Sequence, residues 1–353
     1  MNTRLNLDVA NAMPSSTPIH GVPPMLPTHE KALRELRGPA ALVMAPFDDD
    51  MSLNLDALRS NIQFMLDAGL KTGKGFIISP CGSGEYTSLS PSEHQDMVRV
   101  SVEATDGCLP VVAGATSLNL DDVIALSQAA IDVGAEYVMV APPCYHPISQ
   151  DSMFDWYQII TESIDAGVMI YDQSWRQELG TSLGVELIGR LAELPGIVAL
   201  KYGAPNIIEP MVEALERFSD RFAFIDNSLG YTSTVAHMHG ATGFISGPST
   251  WWPDFELEFF QLLESGDFAG AERWHARIGP YMDLHHGAGG EFSGQGDPGW
   301  QGLQDAAIIK AAMDYVGLHG GPSRAPFHAV DDVQRELIHG VLERLGVQRA
   351  VSA

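Results

Sequence analysis

Gly196-Ile197-Val198-Ala199-Leu200-Lys201 is an apolar run that stops on a lysine. The chain has only five lysines, and the other four, Lys31, Lys71, Lys74 and Lys310, stand in polar or helix-like surroundings. A short continuous apolar run of this kind reads as a strand buried on both faces, as in parallel sheets. One βα unit earlier, Gly167-Val168-Met169-Ile170-Tyr171 ends in the same way on a tyrosine. Successive parallel strands are usually neighbours, so the Lys201 amine and the Tyr171 phenol are expected side by side. Burial favours the neutral amine, and the neutral amine is the form that attacks a ketone to make an imine. The alternatives for Lys201 are an ion pair with Asp172 or Asp226, each at the end of a neighbouring apolar run, and a side chain that snorkels out to solvent.

Outward from this run, short apolar stretches alternate with amphipathic stretches of helical length. Strands are expected at 41–46, 75–79, 110–114, 137–141, 168–171, 197–201, 222–226 and 242–246. Helices are expected at 55–68, 92–104, 120–133, 152–164, 185–192, 207–218 and 231–239. Eight strands joined by helical crossovers close most simply into a TIM (β/α)₈ barrel. The other arrangement, an open doubly wound sheet, more often carries a phosphate-binding glycine turn after its first strand; here that place reads Ala45-Pro46-Phe47-Asp48. Beyond residue 246 the strand pattern stops, and helices at 254–263, 267–282, 303–315 and 331–345 form a C-terminal helical appendix. The organisation expected is an N-terminal arm over 1–37, a barrel over 38–252 and a helical region over 253–353, with the glycine-rich stretch 287–302 as a lid or interface loop.

The 353 residues carry 45 acids against 20 bases, a net charge of −25, which argues against nucleic acid and anionic membrane surfaces as partners. An anionic substrate therefore needs local positive charge. Three cysteines form no disulfide framework, no apolar run is long enough to span a membrane, and the N-terminus has no signal-peptide pattern, so a cytoplasmic protein is expected.

In a TIM barrel the C-terminal strand ends face the active site. Lys201, Tyr171 and Tyr145 all fall there, as does Gly82-Ser83-Gly84, a turn whose backbone N–H groups suit a carboxylate. Phenols at Tyr171 and Tyr145 can donate and accept protons through one oxygen. Arg176, on the loop after the fifth strand, is the candidate cation for a distal carboxylate or hydroxyl of the substrate; the alternative is a surface pair with Glu178. His237 and His239 lie two apart and His285-His286 are adjacent, neither with metal-ligand spacing, so no metal is expected.

Cys81-Gly82-Ser83-Gly84-Glu85 with Tyr86-Thr87-Ser88-Leu89, Pro142-Pro143-Cys144-Tyr145, the Tyr171-Asp172 pair, the run ending at Lys201, Gly243-Phe244-Ile245-Ser246 and Gly320-Gly321-Pro322-Ser323-Arg324-Ala325-Pro326 occur in one order. Together they resemble the dihydrodipicolinate synthase / N-acetylneuraminate lyase family over roughly residues 38–346. The resemblance implies a Schiff-base lyase acting on pyruvate or another 2-oxo acid, by aldol cleavage or condensation or by dehydration of a keto-deoxy sugar acid. It implies a homotetramer built as a dimer of dimers, and no cofactor beyond the covalent imine. It assigns the imine to Lys201, proton relay to Tyr171 with Tyr145, and carboxylate binding to Gly82 and Ser83, with Ser246 lending a backbone group. In the synthase branch two hydroxyl residues stand side by side in the glycine turn; here the first place is Gly82. The run from Gly82 to Leu89 is similar to the branch that dehydrates 5-keto-4-deoxyglucarate, and Tyr202 to the hydratase-aldolases of aromatic 2-oxo acids. Dihydrodipicolinate synthase and aromatic hydratase-aldolase activities are therefore alternatives, with a non-catalytic 2-oxo-acid-binding barrel as a third.

Overall fold

The computed structural model describes residues 27–172, 182–203, 208–228, 230, 232–289 and 305–350. Eight parallel strands, β1 (Gly38–Leu42), β2 (Phe76–Ile78), β3 (Val111–Gly114), β4 (Tyr137–Val140), β5 (Gly167–Tyr171), β6 (Ile197–Tyr202), β7 (Ala223–Asp226) and β8 (Gly243–Ser246), hydrogen-bond in sequence order and close with β8 against β1. The crossovers are α2 (Leu55–Asp67), α3 (Pro91–Thr105), α4 (Leu120–Asp132), α5 (Gln150–Ser163), α6 (Val185–Leu191), α7 (Ile208–Phe218) and α8 (Ser233–Met238). This is the TIM barrel expected from the alternation.

Side chains alternate between the lumen and the surrounding helices. Phe76, Ile78, Val112, Met139, Met169, Val198 and Ile225 join the cluster that fills the centre, while Val138, Val168, Ile170 and Leu200 pack outward with helix residues such as Tyr157, Leu187 and Leu215. Helix starts follow capping chemistry: Ser90 and Glu93 form a reciprocal capping box at α3, and Asn54 caps α2 through Ala57 N–H at 2.8 Å.

Three details differ from the sequence pattern. The helix expected over 267–282 is broken in two, at Phe268–His275 and Gly279–Gly289, by a tighter turn at Ala276–Ile278. The first strand runs Gly38–Leu42 rather than 41–46, because beyond it Val43 and Ala45 donate to Ile78 and Gly84 carbonyls on the way to Pro46, which has no N–H. Of the N-terminal arm expected over 1–37, residues 1–26 lie outside the described residues; residues 27–35 form α1 (Pro27–Glu35), which packs on the N-terminal end of the barrel, with Ala32 and the following Leu36 fully buried and Glu35 accepting a 2.8 Å hydrogen bond from the Tyr137 hydroxyl.

After β8 come α9 (Pro253–Glu264), α10 (Phe268–His275), α11 (Gly279–Gly289), α12 (Asp305–Tyr315) and α13 (Asp332–Arg344). Buried residues of α12 and α13, among them Ile308, Ile309, Ala312, Ile338 and Leu342, belong to the same apolar cluster as the lumen. The appendix is thus packed onto the barrel. No helix among the described residues is long and apolar enough to cross a membrane.

Candidate active site

A bulge between Val168 and Met169 decides the geometry of the site. The register begins Val168 opposite Ile197 and, after the shift, sets Met169 opposite Ala199 and Tyr171 opposite Lys201. Side chains alternate faces along a strand, so without the extra residue Tyr171 would lie opposite Leu200 and Lys201 would face the other way. With it, both point into the lumen at the C-terminal mouth.

Lys201 is 6% exposed, and its Nζ lies 3.7 Å from the centroid of the Tyr171 ring. Burial lowers its pKa to about 8, against the opposing influence of Cys81 and Asp305. No carboxylate among the described residues lies within ion-pairing distance of this amine, which removes the pairing alternative. Asp226 is engaged by the hydroxyls of Ser228 (2.6 Å), Thr232 (2.9 Å) and Ser233 (2.6 Å), and Asp172 accepts the Leu183 N–H at 3.0 Å. Beneath the amine, burial pushes the Cys81 thiol up to about 12.

Gly82-Ser83-Gly84 follows β2 as the sequence indicates. A Cβ at Gly84 would lie 2.1 Å from the Val43 carbonyl, so that glycine lets two backbones meet, whereas a Cβ at Gly82 would meet nothing within 4 Å. Glu85 takes a left-handed φ of 63° and is buried. One helix of the appendix clamps this turn twice. Asp305, the first residue of α12, accepts a short hydrogen bond from the Ser83 hydroxyl, and Lys310 in the middle of α12 is ion-paired with Glu85 while donating to the Pro322 carbonyl at 2.9 Å. Lys310 is only 2% exposed, so it is a second buried lysine rather than a surface one. Its partner distinguishes it from Lys201: burial lowers its pKa, but Glu85 holds the ammonium form. Arg324 grips Glu93 with a two-pronged hydrogen bond at 2.8 and 2.9 Å and stands over the Phe47 ring, fixing the next turn of chain.

Ser246 closes β8; its hydroxyl accepts the Ser249 N–H at 3.0 Å, and Glu256 of α9 lies against it. Burial raises the Glu256 carboxyl to about 7, opposed by the Ser246 hydrogen bond. Tyr145 does not join the buried group around Lys201: it is 77% exposed beyond β4, with its ring edge-on to His146 at 4.7 Å. Arg176 lies outside the described residues, as does 290–302, most of the expected loop. His237 and His239 pair with Glu264 and Glu216, each at 3.2 Å, and no group of three or more His, Cys, Asp or Glu among the described residues is arranged to hold a metal ion.

Sequence reasoning missed Asp305, Lys310 and Glu85. All three look like ordinary helix or turn residues in one dimension; the only signal was that an apolar helix, 305–315, carries a lysine in its middle.

The arrangement of a buried, partly neutral amine, unpaired among the described residues, beside a phenol and a backbone anion cradle suits carbonyl chemistry. Comparison with known proteins agrees. The model of the Dihydrodipicolinate synthetase family matches residues 35–345. A 4-hydroxy-tetrahydrodipicolinate synthase from Methanothrix thermoacetophila is 27% identical over 312 residues, 88% of this chain and 97% of that one. One from Pelodictyon phaeoclathratiforme is 30% identical over 317 residues, covering 89% and 99%. The crystal structure of dihydrodipicolinate synthase from Oceanobacillus iheyensis superposes with a TM-score of 0.78 at 25% identity, covering 91% of this chain and all of that one. The chain belongs to the dihydrodipicolinate synthetase family, whose members are class I lyases that work through a lysine imine.

Proposed function

We propose that Lys201 forms an imine with the carbonyl carbon of pyruvate or another 2-oxo acid, and that the resulting electron sink drives cleavage or formation of a bond one carbon away. The observation that carries this reading is the buried Lys201 amine, unpaired among the described residues and with its pKa near 8. Tyr171 orients the adduct; the 82–83 backbone after β2, with Ser246 at the end of β8 just across β1, receives the acid. Arg176 supplies positive charge for the far end of the substrate. The open space at Gly82 favours a substrate bulkier there than one facing a side chain, in keeping with aldol or dehydration chemistry on a keto-deoxy sugar acid. A second reading, synthesis of 4-hydroxy-tetrahydrodipicolinate, is supported by the names of the curated relatives. No cofactor is required, since the protonated imine itself accepts the electrons.

Borohydride reduction in the presence of pyruvate, followed by peptide mass analysis, is expected to place an adduct on Lys201 and none in Lys201→Ala; no adduct with any of a panel of 2-oxo acids would remove the reading. Turnover of keto-deoxy sugar acids against condensation of pyruvate with aldehydes then separates the two activities. Arg176→Ala is expected to raise KM for substrates with a distal carboxylate or hydroxyl and to leave imine trapping with pyruvate intact.

The exposed Tyr145 and Leu118, on neighbouring loops of the barrel mouth, suit a contact between subunits. A homotetramer is the assembly we propose, with a mass in solution four times the 38.1 kDa of the chain. Three free cysteines are in keeping with a reducing, cytoplasmic setting.

A further inference from the structure

We propose that Asp305 is a positioning residue for proton transfer at the imine, acting through the Ser83 hydroxyl as a carboxylate–hydroxyl relay. This rests on the reading that Lys201 forms the imine. Converting a protonated imine into the enamine that carries the later chemistry requires a proton to leave the adjacent carbon, C3 in pyruvate. The groups around Lys201 differ in their capacity to take it. Burial holds the thiol of Cys81 well above its ordinary value, so it keeps its own proton near neutrality. Tyr171 turns the face of its ring toward the amine. Asp305 reaches the mouth through its hydrogen bond from Ser83, two residues beyond Cys81 of the central cluster, and its charge acts on both Cys81 and Lys201.

The direction of the Ser83–Asp305 hydrogen bond fixes what Ser83 can do. Its hydroxyl proton is committed to Asp305 Oδ2, and Asp305 Oδ1 accepts the Ala306 N–H at 2.9 Å, which holds the carboxylate in place. A hydroxyl that donates to one partner offers only lone pairs to another. Ser83 Oγ therefore meets the bound acid as a proton acceptor, and the acid's own carboxylate is left to the backbone N–H groups of the turn. In the step, the C3–H bond breaks and its electron pair forms the C2–C3 double bond. The C2–N π pair moves onto nitrogen, giving the neutral enamine. The proton passes to Ser83 Oγ as the Ser83 proton passes to Asp305, which ends as the neutral acid. The same α12 that holds Glu85 through Lys310 thereby aims the relay, since Ser83 and Glu85 lie in one turn.

Exchange of the pyruvate C3 protons for deuterium, followed by NMR in D₂O, reads this step without a second substrate, and borohydride trapping reads the imine separately. Asp305→Asn keeps the shape and the helix-capping oxygen but removes the base; exchange is expected to slow by about 100-fold or more while trapping stays within about threefold of the native protein. Ser83→Ala, which leaves α12 untouched, is expected to slow exchange to a similar degree, and the double variant to be slower than either single by no more than about threefold. Exchange unchanged in either variant, or losses that multiply in the double, would overturn the relay. Trapping that falls as much as exchange would overturn it too, because Asp305 would then only shape the site. Failure of the native protein to form any Lys201 adduct would instead overturn the imine reading beneath it.

Discussion

Lys201 shows what it costs to bury an amine. Its pKa near 8, against an ordinary 10.5, means that the folded protein binds fewer protons than the unfolded chain between those values. Stability attributable to this group is therefore lowest below pH 8 and recovers as pH rises toward 10.5; the difference is about 3 kcal/mol. Lys201→Met, similar in length and apolar, is expected to raise stability at pH 7 by up to that amount and to abolish the borohydride adduct, with the gain shrinking toward pH 10 in denaturant melts. Imine formation by the native protein should rise with pH, with its midpoint near 8 and a plateau above about 9, since the neutral amine is the nucleophile. Glu256 works in the opposite sense. Its folded-state value near 7 lies above the ordinary 4.5, so its contribution is fully present below 4.5 and lost as pH rises through 7. Glu256→Gln should stabilise the protein by about 3 kcal/mol at pH 8 and by nothing at pH 4, read from thermal melts across that range. Lys201 was legible in the sequence because a charged residue at the end of an apolar run needs a reason; Glu256 was not, because an acid in the first turn of a helix is ordinary.

At the scale of elements, the turn after β2 separates two glycines that look alike in the sequence. Gly84→Ala drives a methyl group to 2.1 Å from the Val43 carbonyl and is expected to cost about 3 kcal/mol, whereas Gly82→Ala meets open space and should change stability by less than about 0.5 kcal/mol while altering substrate preference. Equilibrium unfolding in urea distinguishes the two directly. α12 has a corresponding vulnerability. Lys310→Ala leaves the Glu85 carboxylate buried without its ion pair, and is expected to destabilise the protein by about 3–5 kcal/mol and to slow imine trapping by loosening the Ser83 turn. The eight βα units were legible because strands buried on both faces leave short continuous apolar runs, set apart by amphipathic stretches of helical length. The bulge at Val168/Met169 was not: one added residue leaves the apolar run looking the same and changes only which face each side chain takes.

Over the whole molecule, the charge of −25 acts against a substrate that is itself an anion. Added salt screens that field, so kcat/KM for pyruvate is expected to rise between about 10 and 150 mM ionic strength, where the screening length falls from about 30 to about 8 Å. A fall over the same range would mean that local positive charge, from Lys201 or Arg176, dominates the approach. The appendix is also a property of the whole: its helices share an apolar cluster with the lumen and deliver Asp305 and Lys310 to a turn more than two hundred residues earlier in the chain.

The sequence by itself determined the barrel and singled out Lys201 as the lysine that ends a buried run, because each rests on the pattern of apolar runs or on a charged residue breaking it. Tertiary structure alone decided that Lys201 and Tyr171 share a face, since a bulge sets the register, and that Tyr145 stands in solvent away from the buried amine. It also decided that α12 completes the site. Pairings such as Ser83 with Asp305 depend on how a late helix docks on an early turn, and no spacing along the chain encodes that contact.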